Sequence, residues 1–179
     1  TVEKAFNMAL HLNQRIGEET GLDVGRLFFR RIHKEFGGKL RLLISGGAAL
    51  PEEVHHLFQG LGLHLSEGYG LTESAPVLSV AQGGVGSESG TVGHAIPGVE
   101  IQIHDPDDKG VGEVWAKGPN IMQGYFRNPD ATEQTLTEDG WLRTGDLGIL
   151  QEDGQLKIVG RAKDVVVTAS GENIYLDDV

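Results

Sequence analysis

The chain has 179 residues, a net charge of −11 at pH 7, no cysteine and 27 glycines. No Lys or Arg occurs between Arg41 and Lys109, so there is no sustained basic stripe, which argues against nucleic acid as a partner. The lack of cysteine excludes a disulfide framework, a thiol nucleophile and thiolate zinc sites and fits the cytoplasm, and no apolar run approaches the ~18–20 residues of a membrane span.

Residues 1–36 read as two helices. Val2, Phe6, Ala9, Leu12/Asn13 and Ile16 step at helical spacing, and Gly17–Asp23 interrupts them. Val24, Leu27/Phe28, Arg31/Ile32 and Phe36 resume the period until Gly37-Gly38 stops it. Arg30, Arg31 and Lys34 suit a solvated face, with an anionic membrane surface as the alternative. Only three of the glycines precede Gly37, so turns and close backbone approaches are expected from there on.

Leu40–Ser45 is a short apolar run suited to a buried parallel strand. Pro51 then opens a helix with Glu52 and Glu53 in its electropositive first turn, and Val54, Leu57, Phe58 and Leu61 make its buried face. Leu63–Ser66 is the next strand. This βαβ order predicts a parallel sheet with ligands gathering at the carboxyl ends of its strands. From about residue 83 short strands alternate with turns. Val99, Ile101 and Ile103 share one face, Gly112–Gly118 is the returning strand, 141–160 is a further hairpin and 164–171 a further strand. That spacing predicts a small β-barrel or sandwich beside the α/β portion.

Three glycine-flanked clusters carry the candidate chemistry. Ser45–Leu50 (SGGAAL) lies between a strand and a helix N-terminus, where small residues let a flat ligand rest on the backbone. A tight βα turn accounts for it equally, and no GK[ST] follows to make it a P-loop. Glu67–Ser74 (EGYGLTES) concentrates an aromatic ring, a hydroxyl and carboxylates at the end of the second strand. Tyr69 can stack on a base, Thr72 can bond a phosphate and Glu73 can hold Mg²⁺ through oxygen. Asp146 follows Thr144-Gly145 on a strand, and Arg161 lies across the hairpin. A carboxylate accepting from two vicinal hydroxyls beside an arginine is one way to hold a ribose, and a structural salt bridge is the other reading. The histidines lack metal spacing, and no G-x-S-x-G turn supports a serine nucleophile.

In their order, 41–54, 67–74, 112–126, 140–148 and 160–164 resemble five successive motifs of the adenylate-forming enzymes, the nearest branch being the AMP-forming long-chain fatty acid–CoA ligases. The resemblance implies an α/β fold: a partial parallel βαβ sheet with flanking helices, a distorted β-barrel, and the start of a small C-terminal lobe. It implies that 1–82 ends the α/β part of a large AMP-binding domain, 83–160 is the barrel, and 161–179 is a hinge with the beginning of a C-terminal domain. Gly46, Gly47 and Ala48 would line the adenine side and Tyr69 would stack on the ring. Thr72 would contact the α-phosphate, Glu73 the Mg²⁺, and Asp146 the ribose hydroxyls with Arg161 beside it. Gly70 and Leu71 would border the acyl pocket, and Lys163 would be the hinge position. The implied reaction joins a fatty acid to ATP as acyl-AMP with release of pyrophosphate, then passes the acyl group to CoA. The family's Ser/Thr/Gly-rich phosphate loop and C-terminal catalytic lysine lie outside these residues. The chain therefore reads as a piece, expected to bind AMP weakly by itself and not to turn over. Medium-chain, aryl-acid and carrier-protein-loading relatives stay open as alternatives, as does a non-catalytic adenylate-binding module. Peripheral membrane association is compatible with the reading, and oligomeric state is left unspecified.

Overall fold

The computed structural model describes residues 2–83, 89–167 and 173–174. Two compact units emerge, one of residues 1–67 with 81–90 and the other of 68–80 with 91–179.

The first unit opens with α1 (Val2–Thr20), α2 (Gly25–Phe28) and α3 (Arg30–Glu35). The helix expected over 24–36 is two pieces, because the backbone leaves helical geometry at Phe29 (φ −108°, ψ 31°). The Phe29 ring is buried with Leu61 and Leu63 in this unit's core, edge-on to Phe6 at 5.3 Å. On α1 the buried face runs through Asn13 rather than Leu12, which is exposed. β1 (Leu43–Gly46) leads to α4 (Glu52–Gly60). Pro51 stands at the helix N-cap, where its missing N–H costs nothing. β2 (Leu65–Tyr69) follows, and the Leu43 N–H donates to the His64 carbonyl at 2.9 Å. Along β1 half-buried and exposed residues alternate, and Ile44, on the exposed face, is 62% exposed rather than buried.

The second unit takes up the end of β2 with β3 (Ser79–Val80) and β4 (His94–Ala95). Both added pairings are antiparallel, Gly68↔Val80 and Ser79↔Ala95 among them. The β1–α4–β2 unit expected from the sequence is thus extended by antiparallel rather than by further parallel strands. Only nine residues separate Tyr69 from Ser79, a connection too short for the crossover of a dozen or more residues that a parallel neighbour requires.

β5 (Glu100–His104), β6 (Gly112–Lys117), β7 (Leu142–Leu150) and β8 (Leu156–Arg161) form an antiparallel meander in chain order. The expected barrel does not close, because β5 and β8 remain at opposite edges and four strands are too few to meet around an axis. The outer edge of β8 is instead capped by Val92 and Gly93, which exchange backbone hydrogen bonds with Leu156. β9 (Val166–Val167) pairs with β10 (Asn173–Ile174) in a separate ribbon, and the rest of the strand expected to 171 lies outside the described residues. α5 (Pro129–Thr135) sits between β6 and β7, with the Asn128 side chain accepting from the Ala131 N–H. This unit's core gathers Leu78, Val99 and Ala116 with Tyr69, Leu71 and Ile101.

Candidate functional site

Strand alternation puts a charge where apolar side chains are expected. Along β7 the buried positions are Leu142, Thr144, Asp146 and Gly148, in strict period two. Asp146 is thus only 4% exposed, and a buried carboxylate needs partners. Two are seen: Arg161 Nε lies 2.9 Å from Oδ1, and the Tyr69 hydroxyl donates to Oδ2 at 2.8 Å.

Two irregularities in the sheet create this arrangement. Between β7 and β8 the register shifts so that Leu147 faces Gly160 while Gly148 faces Ile158. The extra residue, Val159, moves Arg161 opposite Asp146, a position Gly160 would otherwise hold. Between β6 and β7, Thr144, Gly145 and Asp146 together oppose Val114 alone. The backbone groups freed by that bulge are satisfied by side chains. Glu113 Oε1 accepts the Gly145 N–H at 3.0 Å, and Thr144 Oγ1 accepts the Asp146 N–H at 3.1 Å. The Thr144 hydroxyl itself donates to the Val114 carbonyl at 2.7 Å.

Tyr69, at the end of β2, presents its ring to the core and its hydroxyl to Asp146. Burial pushes its pKa far above the usual phenol value, and the neighbouring Asp146 charge adds to the shift. The phenol is therefore a fixed donor at any physiological pH.

After Tyr69 the chain passes Gly70, whose lack of a side chain is required, since a Cβ there would run into the Pro76 carbonyl. Leu71 then caps a single 3-10 turn, Thr72–Ser74. The buried Ser74 hydroxyl accepts from the Leu71 N–H at 3.0 Å and lies 2.9 Å from the Leu71 carbonyl, closing the turn on itself. Thr72 is exposed on this turn and Glu73 half-buried. Residues 120–125 hold the same turn from outside. The Asn120 amide donates to the Ser74 and Val77 carbonyls, both at 2.8 Å. The Met122 N–H donates to the Glu73 carbonyl at 2.8 Å, and the Tyr125 hydroxyl donates to Glu73 Oε1 at 2.7 Å.

The structure thus brings Tyr69, Asp146 and Arg161 together and joins Glu73 to Tyr125. Gly46, Gly47 and Ala48 belong to the first unit, at and just beyond the end of β1. Lys163 is exposed in a 3-10 turn, Ala162–Asp164, and makes no ion pair among the described residues. Sequence reasoning missed Tyr125, Asn120 and Glu113. Tyr125 lies 52 residues from Glu73, and no periodicity reports a contact at that separation.

Comparison with known proteins places the chain in a family. A family model described as AMP-binding enzyme matches residues 2–126. The chain is 41% identical over 149 residues to the long-chain-fatty-acid–CoA ligase FadD15 of Mycobacterium bovis, covering 83% of this chain and 24% of that relative. Among solved structures, ATP-bound MatB from Rhodopseudomonas palustris superposes with a TM-score of 0.70 at 34% identity, covering 85% of this chain and 32% of that one. O-succinylbenzoate coenzyme A synthetase from Bacillus subtilis, in complex with ATP and a magnesium ion, gives 0.68 at 27% identity, covering 84% and 34%. The chain spans about a quarter of the length of the curated relatives it matches.

Proposed function

The chain belongs to the AMP-binding enzyme family, and on that premise we propose that it forms part of a cytoplasmic, AMP-forming long-chain fatty acid–CoA ligase. The single observation that carries the site is the buried Asp146 carboxylate, held between the Tyr69 hydroxyl and Arg161. A carboxylate fixed in this way can accept from both hydroxyls of a ribose with little reorganisation, which is how a rigid site lowers the cost of orienting a nucleotide.

The reaction has two halves. A carboxylate oxygen of the fatty acid attacks the α-phosphorus of ATP, the bond to the β-phosphate oxygen breaks, and pyrophosphate leaves. The sulfur of CoA then attacks the acyl carbonyl, loses its proton and displaces AMP. Thr72, exposed on its short turn, would donate to the α-phosphate. Gly70 and Leu71 border the acyl pocket, and Lys163 is the hinge. The roles of Gly46, Gly47 and Ala48 beside adenine, and the division into an α/β part (1–82), a β part (83–160) and a hinge with the start of a further domain (161–179), rest on the family resemblance.

No group of three or more His, Asp or Glu side chains suited to a metal is found among the described residues. That fits magnesium arriving with ATP, since Mg²⁺ is usually held by one or two carboxylates plus phosphates and water. Glu73 is the carboxylate that would meet it. When bound, the ion neutralises phosphate charge and favours pyrophosphate as a leaving group.

Acid-dependent ATP–pyrophosphate exchange by the full-length protein tests the reading. Exchange should appear only with a carboxylic acid present and should be fastest with long-chain fatty acids. Fastest exchange with a short or aryl acid, or exchange independent of any acid, would overturn the substrate assignment.

A further inference from the structure

Glu73 sits on a turn that is anchored at each of its covalent and side-chain handles. Its carbonyl is tied to Met122, its neighbour Ser74 is tied to Asn120, and one carboxylate oxygen is tied to Tyr125. Oε1 takes the Tyr125 hydroxyl, and Oε2 accepts no hydrogen bond among the described residues. A glutamate on an exposed turn otherwise has three free torsions and no reason to present one oxygen rather than the other. The same segment that fixes the turn's backbone also fixes this side chain, so the two restraints act as one clamp.

We propose that Tyr125 is a positioning residue for Glu73: by donating to Oε1 it fixes the carboxylate rotamer and leaves Oε2 to meet the magnesium ion carried by ATP. This rests on the reading of Glu73 as the magnesium-binding carboxylate. Partners that orient a ligating carboxylate are part of a metal site's affinity, and losing one typically weakens metal binding about tenfold or more. Tyr125 is 37% exposed and lines an open groove with Phe126, Asn128 and Thr132. Removing its hydroxyl alone therefore leaves no buried void.

The test is a double-mutant cycle in the full-length protein, read by calorimetric binding of Mn²⁺·ATP in the absence of fatty acid, with metal-free AMP as the control ligand. Tyr125→Phe is expected to weaken Mn²⁺·ATP binding by about tenfold and to leave AMP binding unchanged. In the Glu73→Gln background the same change should have no further effect, because its target is gone. Equal weakening of Mn²⁺·ATP and AMP, or full additivity with Glu73→Gln, would overturn the positioning role in favour of a merely structural one. If Glu73→Gln weakens Mn²⁺·ATP binding while Tyr125→Phe does not, the positioning role fails and the magnesium reading of Glu73 stands. Unchanged Mn²⁺·ATP binding in Glu73→Gln would overturn both.

Discussion

Tyr69 and Asp146 lie 77 residues apart in sequence and 2.8 Å apart in space. Each half of the contact was visible in the sequence as a candidate, the aromatic for a base and the carboxylate for a ribose. That the two bond to one another was not, since nothing local encodes it. The placement of Arg161 against Asp146 was partly legible, because the two flank a hairpin. The register was not, because it depends on the single extra residue Val159, which no alternation pattern reveals. The Tyr69–Asp146 contact has a consequence at high pH. The folded-state pKa of Tyr69 is raised above the unfolded value near ~10, so its contribution to stability is complete below that pH. It is lost as pH rises through the folded value, because the unfolded chain releases the proton first. Alkaline unfolding should therefore show a steeper loss of stability in wild type than in Tyr69→Phe. Native-state absorbance titration should find one phenol that resists ionisation until the protein unfolds. A Tyr69 that ionises at the ordinary phenol pH in the native state would contradict the buried contact.

Among the elements, the helices of the first unit are tied by a polar residue that periodicity treated as an afterthought. Asn13 is fully buried on α1. Its amide donates to the Gln59 and Gly60 carbonyls at the end of α4, at 3.2 and 3.1 Å, and its oxygen accepts the Val24 N–H at 2.8 Å. One side chain thus satisfies two terminal carbonyls of one helix and the N–H of Val24, the residue that caps the next. Close by, Gly25 and Gly62 approach so tightly that a Cβ on either would collide with the other's backbone, and Gly62 has φ +71°. Asn13→Ala should lower unfolding stability by about 1–3 kcal/mol, the cost of leaving such groups buried and unpaired. A chemical denaturation curve superimposable on wild type would refute that role. α5 is the element that sequence reasoning passed over, although Asn128 followed by Pro129 is a helix-start signal of ordinary strength. The rhythm of short strands and turns expected from residue 83 onward holds no place for a helix. The barrel was over-read for the opposite reason. Strand spacing reports how many strands there are, not whether the first and last of them meet, and here β5 and β8 do not.

At the scale of the whole chain, composition and site are related through the glycines. Those at 70 and 145 serve the candidate site directly, one allowing the turn after β2 to pass the Pro76 carbonyl and the other, at φ +72°, forming the bulge before Asp146. Described helices include none long and apolar enough to cross a membrane. The α/β class and the two hairpins β5–β6 and β7–β8 were legible in the sequence, because each follows from local patterning. The antiparallel additions β3 and β4 were not, because they depend on how a short loop reverses the chain. The account as a whole turns on Asp146 as the group that grips a nucleotide. Its most direct test is calorimetric titration of AMP into the full-length protein and its Asp146→Ala variant. The account predicts a loss of about 1–3 kcal/mol in the variant, as expected for removing charge-assisted hydrogen bonds to ribose, with the fold retained by circular dichroism. Equal AMP affinity in the two proteins would contradict it.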